Sequence, residues 1–449
     1  MMKKILILGA GKSASHIIDY LLEKSQEFNW QITVGDINKE LAVKKIDGHP
    51  NGSAIAFDVI NEEHRAKYIS ETDIVASLLP FVFHSIVAED CLKFGKHLVT
   101  ASYVDQASMA LNDEFEKAGL LFMGEIGLDP GIDHLATMKM LDDLKSKGAN
   151  INSVYSFAGA LIHPDHDTNP WNYKFTWAPM NVVKAGQGVS QYLYEFKPKY
   201  IPYNRIFSAS SGRTIGELGE FEVYPNRDSV KYIEKYDLES DGIGTFLRGT
   251  LRRKGYCKAW NTFVKLGWTD DTYKINVKGL TYNDLLKSFL PVAFINRNEN
   301  LKSAVADFLD LAIDDEVMDK LVWLGVFDEV AIDMDEVSPA KILCKLLAEK
   351  WKLSPGDKDM IVMLHEVGYH LNGEDRMLSA TLINMGADEE NTAISKLVGL
   401  PAGMMVKLIA TDQIKIRGVR IPIMPEVYNP ILKELQEYGV GFEETDVLV

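Results

Sequence analysis

The stretch that decides the fold is KKILILGAGKSASHIIDYLLEK, residues 3–24. It holds a short apolar run ending at Leu8, a turn of the form GxGxxA, and then apolar residues at spacings of three and four, which are typical of a helix. Gly9 allows the tight bend, Gly11 lets a phosphate approach the backbone, and the small Ala14 permits close packing of helix on strand. The order strand, glycine turn, helix predicts the start of a dinucleotide-binding domain.

Further candidate cofactor contacts lie in this turn and at the end of the second predicted strand. Lys12 and Ser13 are at the helix N-terminus, where free N–H groups and the helix dipole favour phosphate. Asp36 lies 22 residues after Ala14, where a carboxylate can bind the ribose hydroxyls and repels the additional phosphate of NADP. No arginine follows it, so we predict NAD or NADP as cofactor, with NAD favoured. The alternative is that Asp36 only begins a turn.

Six β-rich runs alternate with helical patterns through the first 125 residues. The predicted strands are Lys4–Leu8, Gln31–Val34, Ala54–Phe57, Ile74–Leu78, His97–Thr100 and Leu120–Met123. This alternation predicts an α/β fold of the Rossmann type, a doubly wound parallel sheet covered by helices. At the carboxyl edge of that sheet, Leu78 and Leu79 line the nicotinamide side or simply fill core. Asp58 lies near the adenine or in a surface turn.

The pattern changes after residue 151. Longer β-prone stretches such as Ser153–Leu161 predict an inserted mixed α/β domain, and residues 282–349 have the composition of a small helical subdomain. The predicted division is residues 1–128 plus about 392–449 for the dinucleotide domain, 129–281 plus about 350–391 for an α/β substrate and dimerisation domain, and 282–349 for the helical subdomain.

Charge and cysteine content limit the class of partner. The chain of 449 residues has 48 Lys+Arg against 64 Asp+Glu, a net charge of −16, which argues against nucleic acid or anionic membranes as partners. Three scattered cysteines argue against a disulfide framework or zinc site. In HPDH, His163 and His166 form either a metal pair or a solvated loop, and we predict no metal. The first apolar run is too short for an export signal, and no later stretch approaches 18 uncharged apolar residues, so we expect a cytoplasmic protein.

Several longer runs resemble one known family. They are SLLPFVFH (77–84), VTASYV (99–104), GEIGLDPGIDHL (124–135), NPWNYKFTW (169–177), YPNRDS (224–229), FLRGTLR (246–252), WLGVF (323–327), GDKDMIVMLHEV (356–367) and PIMPEVYNPILKELQEYGV (422–440). The family is that of L-glutamate-forming saccharopine dehydrogenase, also called saccharopine reductase. The resemblance extends over nearly the whole chain.

The resemblance implies an NAD(P)-dependent oxidoreductase of lysine metabolism that acts on the CH–NH group of saccharopine. Hydride leaves the lysine-derived arm for the nicotinamide, and water hydrolyses the imine to L-glutamate and 2-aminoadipate 6-semialdehyde. It also implies a homodimer. The alternative is a related amine dehydrogenase, of the lysine 6-dehydrogenase or carboxynorspermidine dehydrogenase type. A non-catalytic dinucleotide sensor would have no use for the substrate motifs.

The same resemblance implies the substrate-binding residues. They are Ser102, Tyr103, Asp129, Arg227, Thr250, Leu251 and Arg252. A guanidinium can bind a carboxylate through two hydrogen bonds, and saccharopine carries three carboxylates. Asp129 and Tyr103 are the candidates for the catalytic base, and sequence does not decide between them. Asp129 is also placed to cap a helix whose first turn would contain Pro130.

Two positions depart from the family pattern. Eukaryotic members have a cysteine and two glycines where this chain has Phe157-Ala158-Gly159-Ala160, so no thiol at this place is required here. Fungal members carry an arginine for the NADP phosphate after the second strand, where this chain carries Asp36. The cofactor choice of the fungal enzymes therefore cannot be copied to this chain.

Overall fold

The computed structural model describes residues 2–239 and 242–449, and the chain divides into two compact units. The first unit comprises Met1–Asn152, Lys235–Gly242 and Asp359–Val449, and the second comprises Ser153–Glu234 and Ile243–Lys358. The three-domain division given above stays a prediction.

The strands are numbered in chain order. They are β1 (Lys3–Leu8), β2 (Trp30–Asp36), β3 (Gly52–Ala56), β4 (Ile74–Ser77), β5 (His97–Thr100), β6 (Leu121–Met123), β7 (Asn150–Ile162), β8 (Val189–Tyr194), β9 (Lys197–Pro202), β10 (Ser211–Thr214), β11 (Glu220–Pro225), β12 (Thr245–Arg253), β13 (Ile275–Asn276), β14 (Glu336–Val337), β15 (Asp359–Leu371), β16 (Glu374–Met385), β17 (Gly418–Arg420) and β18 (Glu443–Leu448).

The α-helices are numbered in the same way. They are α1 (Ser15–Phe28), α2 (Lys39–Ile46), α3 (Glu62–Ser70), α4 (His84–Phe94), α5 (Gln106–Ala110), α6 (Asn112–Lys117), α7 (Ile132–Ser146), α8 (Pro179–Val183), α9 (Lys231–Lys235), α10 (Tyr256–Lys265), α11 (Tyr282–Phe289), α12 (Val292–Arg297), α13 (Leu301–Leu309), α14 (Glu316–Leu324), α15 (Pro339–Lys350), α16 (Ala393–Ala410) and α17 (Pro425–Glu437).

The first unit is built on a parallel sheet with the strand order β17-β6-β5-β4-β1-β2-β3. Every neighbouring pair in it is parallel, and Ile5 pairs with Ile32 on one side and Ile74 on the other. The predicted fold class is confirmed, and the six predicted strands lie within one or two residues of the observed ones. The chain order reverses beside β1, which is where open sheets of this type bind ligands. β15, β16 and β18 form an antiparallel group in the same unit.

Helix α16 packs closely on α1. A Cβ atom at Gly399 would lie 2.7 Å from the backbone nitrogen of Ile17, and one at Gly403 would lie 2.7 Å from Cδ1 of Tyr20. Among the described residues, α16 alone has the length and apolar content of a membrane span, although it contains two lysines, and 83% of it is buried. Because of Lys396 and Lys407 it is not a run of 18 uncharged apolar residues, and its burial is that of a core helix.

The second unit contains the strand order β10-β11-β12-β7, with β8 pairing β12 and β9. β12 is parallel to β7 and antiparallel to β11. Helices α11 to α15 occupy the region predicted to be helical. Its core includes an aromatic group in which side chains far apart in sequence meet. They are Trp171, Tyr173, Phe175, Tyr256, Trp260, Phe263 and Trp351.

Candidate active site

The GAGKSA turn has the geometry that its sequence predicts. Gly9 has φ +100°, its N–H donates to the Gly35 carbonyl at 2.7 Å, and a Cβ there would lie 3.2 Å from the Leu78 carbonyl oxygen. A Cβ at Gly11 would meet no atom within 4 Å, so the backbone at this point is open to approach. Ala14 is 1% exposed at the end of a short 3-10 turn that leads into α1. Such a turn fits the phosphates of a dinucleotide.

Asp36 ends β2 directly beside this turn. Its Oδ2 accepts a hydrogen bond from the Ala10 N–H at 2.7 Å, and its Oδ1 accepts one from the Asn38 N–H at 2.8 Å. A carboxylate has about four acceptor positions, so both oxygens keep capacity for ribose hydroxyls. The residues present therefore fit an adenine dinucleotide. If Asp36 were only a turn residue, that role would account for its bond to Asn38 but not for its bond to Ala10.

The other candidate cofactor residues differ in exposure. Lys12 is exposed and Ser13 is half-buried in the turn. Leu78 and Leu79 follow β4 and are half-buried, and Leu79 packs against the core of the first unit. Asp58 lies two residues after the end of β3, where its Oδ1 accepts from the Ile60 N–H at 2.9 Å. That bond is expected if Asp58 is a surface turn residue. A cofactor role for Asp58 stays a prediction.

The structure brings Tyr103 and Asp129 together. The Tyr103 hydroxyl donates to Oδ1 of Asp129 at 3.2 Å, although the two residues are 26 apart in sequence. Ser102 precedes Tyr103 just after β5, at the carboxyl edge of the parallel sheet. The predicted tyrosine and the predicted aspartate therefore meet, whereas the Ser102 hydroxyl lies against Nε2 of His84.

The prediction that Asp129 caps a helix is wrong. Helix α7 begins at Ile132, with Gly131 at the N-cap position, so neither Asp129 nor Pro130 lies in the helix or at its cap. The reason is a tight turn in which the Gly127 N–H donates to the Pro130 carbonyl at 2.9 Å. Gly131 has φ +150°, and a Cβ there would lie 2.0 Å from the Gly127 carbonyl oxygen, so the turn requires glycine. This turn leaves Asp129 half-buried before the helix.

Glu125 and His134 form a buried polar pair that holds these segments. Glu125 and His134 are both 0% exposed, and Oε2 of Glu125 lies 2.9 Å from Nε2 of His134. Oε1 of Glu125 accepts from the Val104 N–H at 3.2 Å, next to Tyr103. Asp133 accepts from the Gly131 N–H at 2.6 Å, in the turn that carries Asp129. These bonds hold the backbone next to Tyr103 and the turn that carries Asp129, the two candidate catalytic residues.

His84 is a second residue that the sequence reasoning missed. It begins α4 after β4, is 3% exposed, and its Nε2 lies 2.8 Å from Oγ of Ser102 and 3.3 Å from Oγ1 of Thr100. Burial lowers the pKa of His84 to about 4, so the ring is neutral near pH 7. The signal was the last residue of the SLLPFVFH run, a histidine at the carboxyl edge of the sheet.

Because burial lowers the pKa of His84, we predict that the folded protein loses stability as the pH falls. The unfolded chain binds this proton near pH 6.5 and the folded chain only near pH 4, so stability present above pH 6.5 falls as the pH approaches 4. At ~1.4 kcal/mol per pH unit, the contribution of this buried ring is on the order of 3 kcal/mol. Urea denaturation between pH 4 and 7 measures it. We expect H84Q to show a shallower decline than wild type, and equal slopes would contradict the assignment.

In the second unit, Arg252 is a buried cation on β12. It is 3% exposed, its Nη1 donates to the Leu251 carbonyl at 3.0 Å, and its Nη2 donates to the Tyr224 hydroxyl at 3.2 Å. Its Cζ lies 5.2, 5.6 and 5.3 Å from the ring centroids of Tyr173, Tyr224 and Tyr256. No carboxylate of the described residues lies within 4.0 Å of the guanidinium. A buried charge without a counterion is costly, so this environment favours binding of an anion.

The remaining predicted substrate residues are placed around β12. Thr250 and Arg252 share one face of the strand, whereas the Leu251 side chain is 0% exposed on the opposite face. Arg227 is exposed in a turn after β11, with φ +49°. Arg248, which the motifs left unassigned, is 4% exposed and lies on the Thr250 and Arg252 face, with its Cζ 4.4 Å from the Tyr232 ring centroid.

The HPDH segment holds two histidines in edge contact, with ring centroids 5.7 Å apart. Nδ1 of His163 accepts from the Asp165 N–H at 3.1 Å, and Nδ1 of His166 lies 3.6 Å from Oδ1 of Asp357. Across residues 2–239 and 242–449, no group of three or more His, Cys, Asp or Glu side chains could hold a metal ion.

A wholly parallel sheet with a GxGxxA turn and a carboxylate at the end of its second strand defines a dinucleotide-binding protein of the Rossmann class. Family comparison then identifies the chain. It belongs to the saccharopine dehydrogenase family: residues 5–123 match the "Saccharopine dehydrogenase NADP binding domain", and residues 127–440 match the "Saccharopine dehydrogenase C-terminal domain". The resemblance drawn from the motifs is confirmed.

Individual relatives differ in length. The chain is 34% identical to bovine (Bos taurus) "Alpha-aminoadipic semialdehyde synthase, mitochondrial" over 98% of its own residues, but it spans about half of that relative, 47%. It is 30% identical to Schizosaccharomyces pombe "Saccharopine dehydrogenase [NADP(+), L-glutamate-forming]", with 99% of both chains covered. The apo histidine-tagged saccharopine dehydrogenase (L-Glu forming) structure from Saccharomyces cerevisiae matches with a TM-score of 0.88 and 28% identity, over 99% of this chain and 100% of that one.

Proposed function

We propose that this chain is a saccharopine dehydrogenase that catalyses the reversible NAD(P)-dependent oxidation of saccharopine to L-glutamate and 2-aminoadipate 6-semialdehyde. The observation that carries the proposal is Arg252, a buried guanidinium without a carboxylate partner among the described residues. A ligand with three carboxylates supplies that partner. Membership of the family and the printed names of the full-length fungal relatives give further support.

Two groups of residues divide the work in this proposal. Arg252, Thr250 and Arg227 bind and orient the substrate carboxylates. Asp129 accepts a proton from the secondary amine or from the attacking water, with Tyr103 hydrogen-bonded to it at 3.2 Å. The bound nicotinamide dinucleotide supplies the acceptor for hydride.

A spectrophotometric assay of nicotinamide reduction tests the proposal. Purified protein is supplied with saccharopine and, in separate reactions, with NAD and NADP, and the products are identified as L-glutamate and the semialdehyde. Free lysine and a carboxylated polyamine serve as the comparison substrates, because the related amine dehydrogenases act on them. Absence of reduction with saccharopine, together with turnover of a comparison substrate, would overturn the proposal.

Cofactor preference depends on Asp36 in this proposal. The family description and the fungal names support use of NADP by this chain. A carboxylate at the end of β2 disfavours the additional phosphate by about 1 kcal/mol or more, since two like charges about 4 Å apart repel by that amount even in water. We therefore predict a higher kcat/KM with NAD than with NADP.

The variant D36N tests this preference while keeping an oxygen that can accept the Ala10 N–H. We expect the ratio of kcat/KM for NADP to that for NAD to rise about fivefold or more, measured in steady-state kinetics at saturating saccharopine. A wild-type protein that is more efficient with NADP would show that Asp36 does not set the preference.

Assembly and location are further parts of the proposal. We propose a homodimer, as the family resemblance implies, and light scattering of the purified protein measures the mass that decides it. We propose a cytoplasmic location, which is supported by three cysteines that are free in the structure, as expected of a reducing compartment. Fractionation of cells with an antibody against the chain tests it.

A further inference from the structure

Tyr173 is a buried tyrosine beside Arg252 to which the sequence motifs assigned no role. It is 0% exposed, and its hydroxyl oxygen has no hydrogen-bond partner among the described residues. Nε of Arg252 is likewise buried without a partner. Buried polar atoms are nearly always hydrogen-bonded in folded proteins, so two such donors around one guanidinium require an explanation.

The position of Tyr173 is fixed by its surroundings. Its carbonyl oxygen accepts from Nδ2 of Asn169 at 2.9 Å, and its ring packs on Tyr256 and Trp351 with centroid distances of 5.4 and 5.2 Å. A ring held on two sides in this way cannot rotate freely to find another partner. The hydroxyl therefore stays where the fold places it.

We propose that Tyr173 is a substrate-binding residue, whose O–H donates to the same substrate carboxylate that accepts the Nε–H of Arg252. The inference rests on the proposed function, which supplies a ligand with three carboxylates. Tyr224 already accepts from Nη2 of Arg252 and so orients the guanidinium. Tyr173, Arg252 and Tyr224 then form a carboxylate site with one cation and one neutral donor, which is more selective than a cation alone.

Aromatic packing by itself gives a different account of the same residues. The three tyrosine rings attract the guanidinium through their faces, and that attraction needs neither the Tyr173 hydroxyl nor the in-plane Nε–H. The two accounts therefore separate when the hydroxyl is removed and the ring is kept. The variant Y173F does this.

Isothermal calorimetry of saccharopine binding to wild type and Y173F is the experiment. We expect the Kd of Y173F to rise ten- to a hundredfold, because one hydrogen bond to a charged acceptor is lost. The thermal midpoint should be unchanged or higher, since a buried hydroxyl without a partner has been removed. The matched control is Y203F, which removes another buried tyrosine hydroxyl of the same unit that does not contact Arg252, and it should leave the Kd unchanged.

The outcomes distinguish failure of the role of Tyr173 from failure of the proposed function. An equal Kd for wild type and Y173F overturns the role of Tyr173, as does an equal rise in Kd in Y203F. Binding that depends on Tyr173 in a wild-type protein that does not turn saccharopine over would overturn the proposed function and keep the carboxylate site. A wild-type protein that does not bind saccharopine overturns both.

Discussion

Replacing Arg252 with methionine is expected to lower kcat/KM for saccharopine by at least about a hundredfold. The loss of one partner of a buried, hydrogen-bonded charge pair costs about 2–5 kcal/mol, and 2.7 kcal/mol is a hundredfold in rate. Methionine keeps much of the length of the side chain and its contact with the three tyrosine rings. Steady-state kinetics with saturating dinucleotide measure the effect.

The same substitution should leave the ligand-free protein as stable as wild type or more stable. Arg252 is 3% exposed without a carboxylate partner among the described residues, and removing such a charge relieves a desolvation cost. R253M is the matched control, because Arg253 is the next residue on β12 and its half-buried guanidinium donates to the Leu218 carbonyl at 2.9 Å. Loss of activity in R252M together with a large fall in its thermal midpoint would mean a structural role for Arg252.

The second large effect is expected for D129N, which should reduce kcat at least about a hundredfold. Proton transfer by a positioned side chain contributes about 10²–10⁴ in rate, and asparagine keeps the size of the side chain but cannot accept the proton. The affinity for the dinucleotide, measured by fluorescence titration, should change little, because the GAGKSA turn that fits the phosphates is formed by residues 9–14 and does not include Asp129. Single-turnover kinetics separate the chemical step from product release.

Two further variants define the role of Asp129. Y103F removes the hydroxyl that donates to Asp129 at 3.2 Å, and we expect a smaller loss than in D129N because the carboxylate remains. D105N is the control, since Asp105 is a nearby carboxylate that caps α5 by accepting from the Ser108 N–H at 2.7 Å. Turnover of D129N equal to that of wild type would remove Asp129 from the mechanism and leave Tyr103 or solvent as the base.

The dinucleotide-binding unit was predictable because its signals are local. The GxGxxA turn, the β-rich runs of four or five residues and the position of Asp36 each depend on neighbours in sequence, and the observed strands agree with them. The cap assigned to Asp129 failed for a non-local reason. Gly131 adopts a conformation set by its contact with Gly127, and proline after aspartate gave the same local pattern as a helix start.

The sequence alone determined the fold class, the family and the phosphate turn, because these depend on short-range periodicity and on glycine conformations that single residues permit. The tertiary structure decided which polar side chains meet. Arg252 is surrounded by Tyr173, Tyr224 and Tyr256, and Tyr173 and Tyr224 come from other segments of the chain. Likewise, the burial of His84 against Ser102 joins two strand ends. Whether a side chain is buried, and whether it has a counterion, depends on all the atoms packed around it, and these come from distant segments of the chain. No local pattern of residues therefore specifies either property.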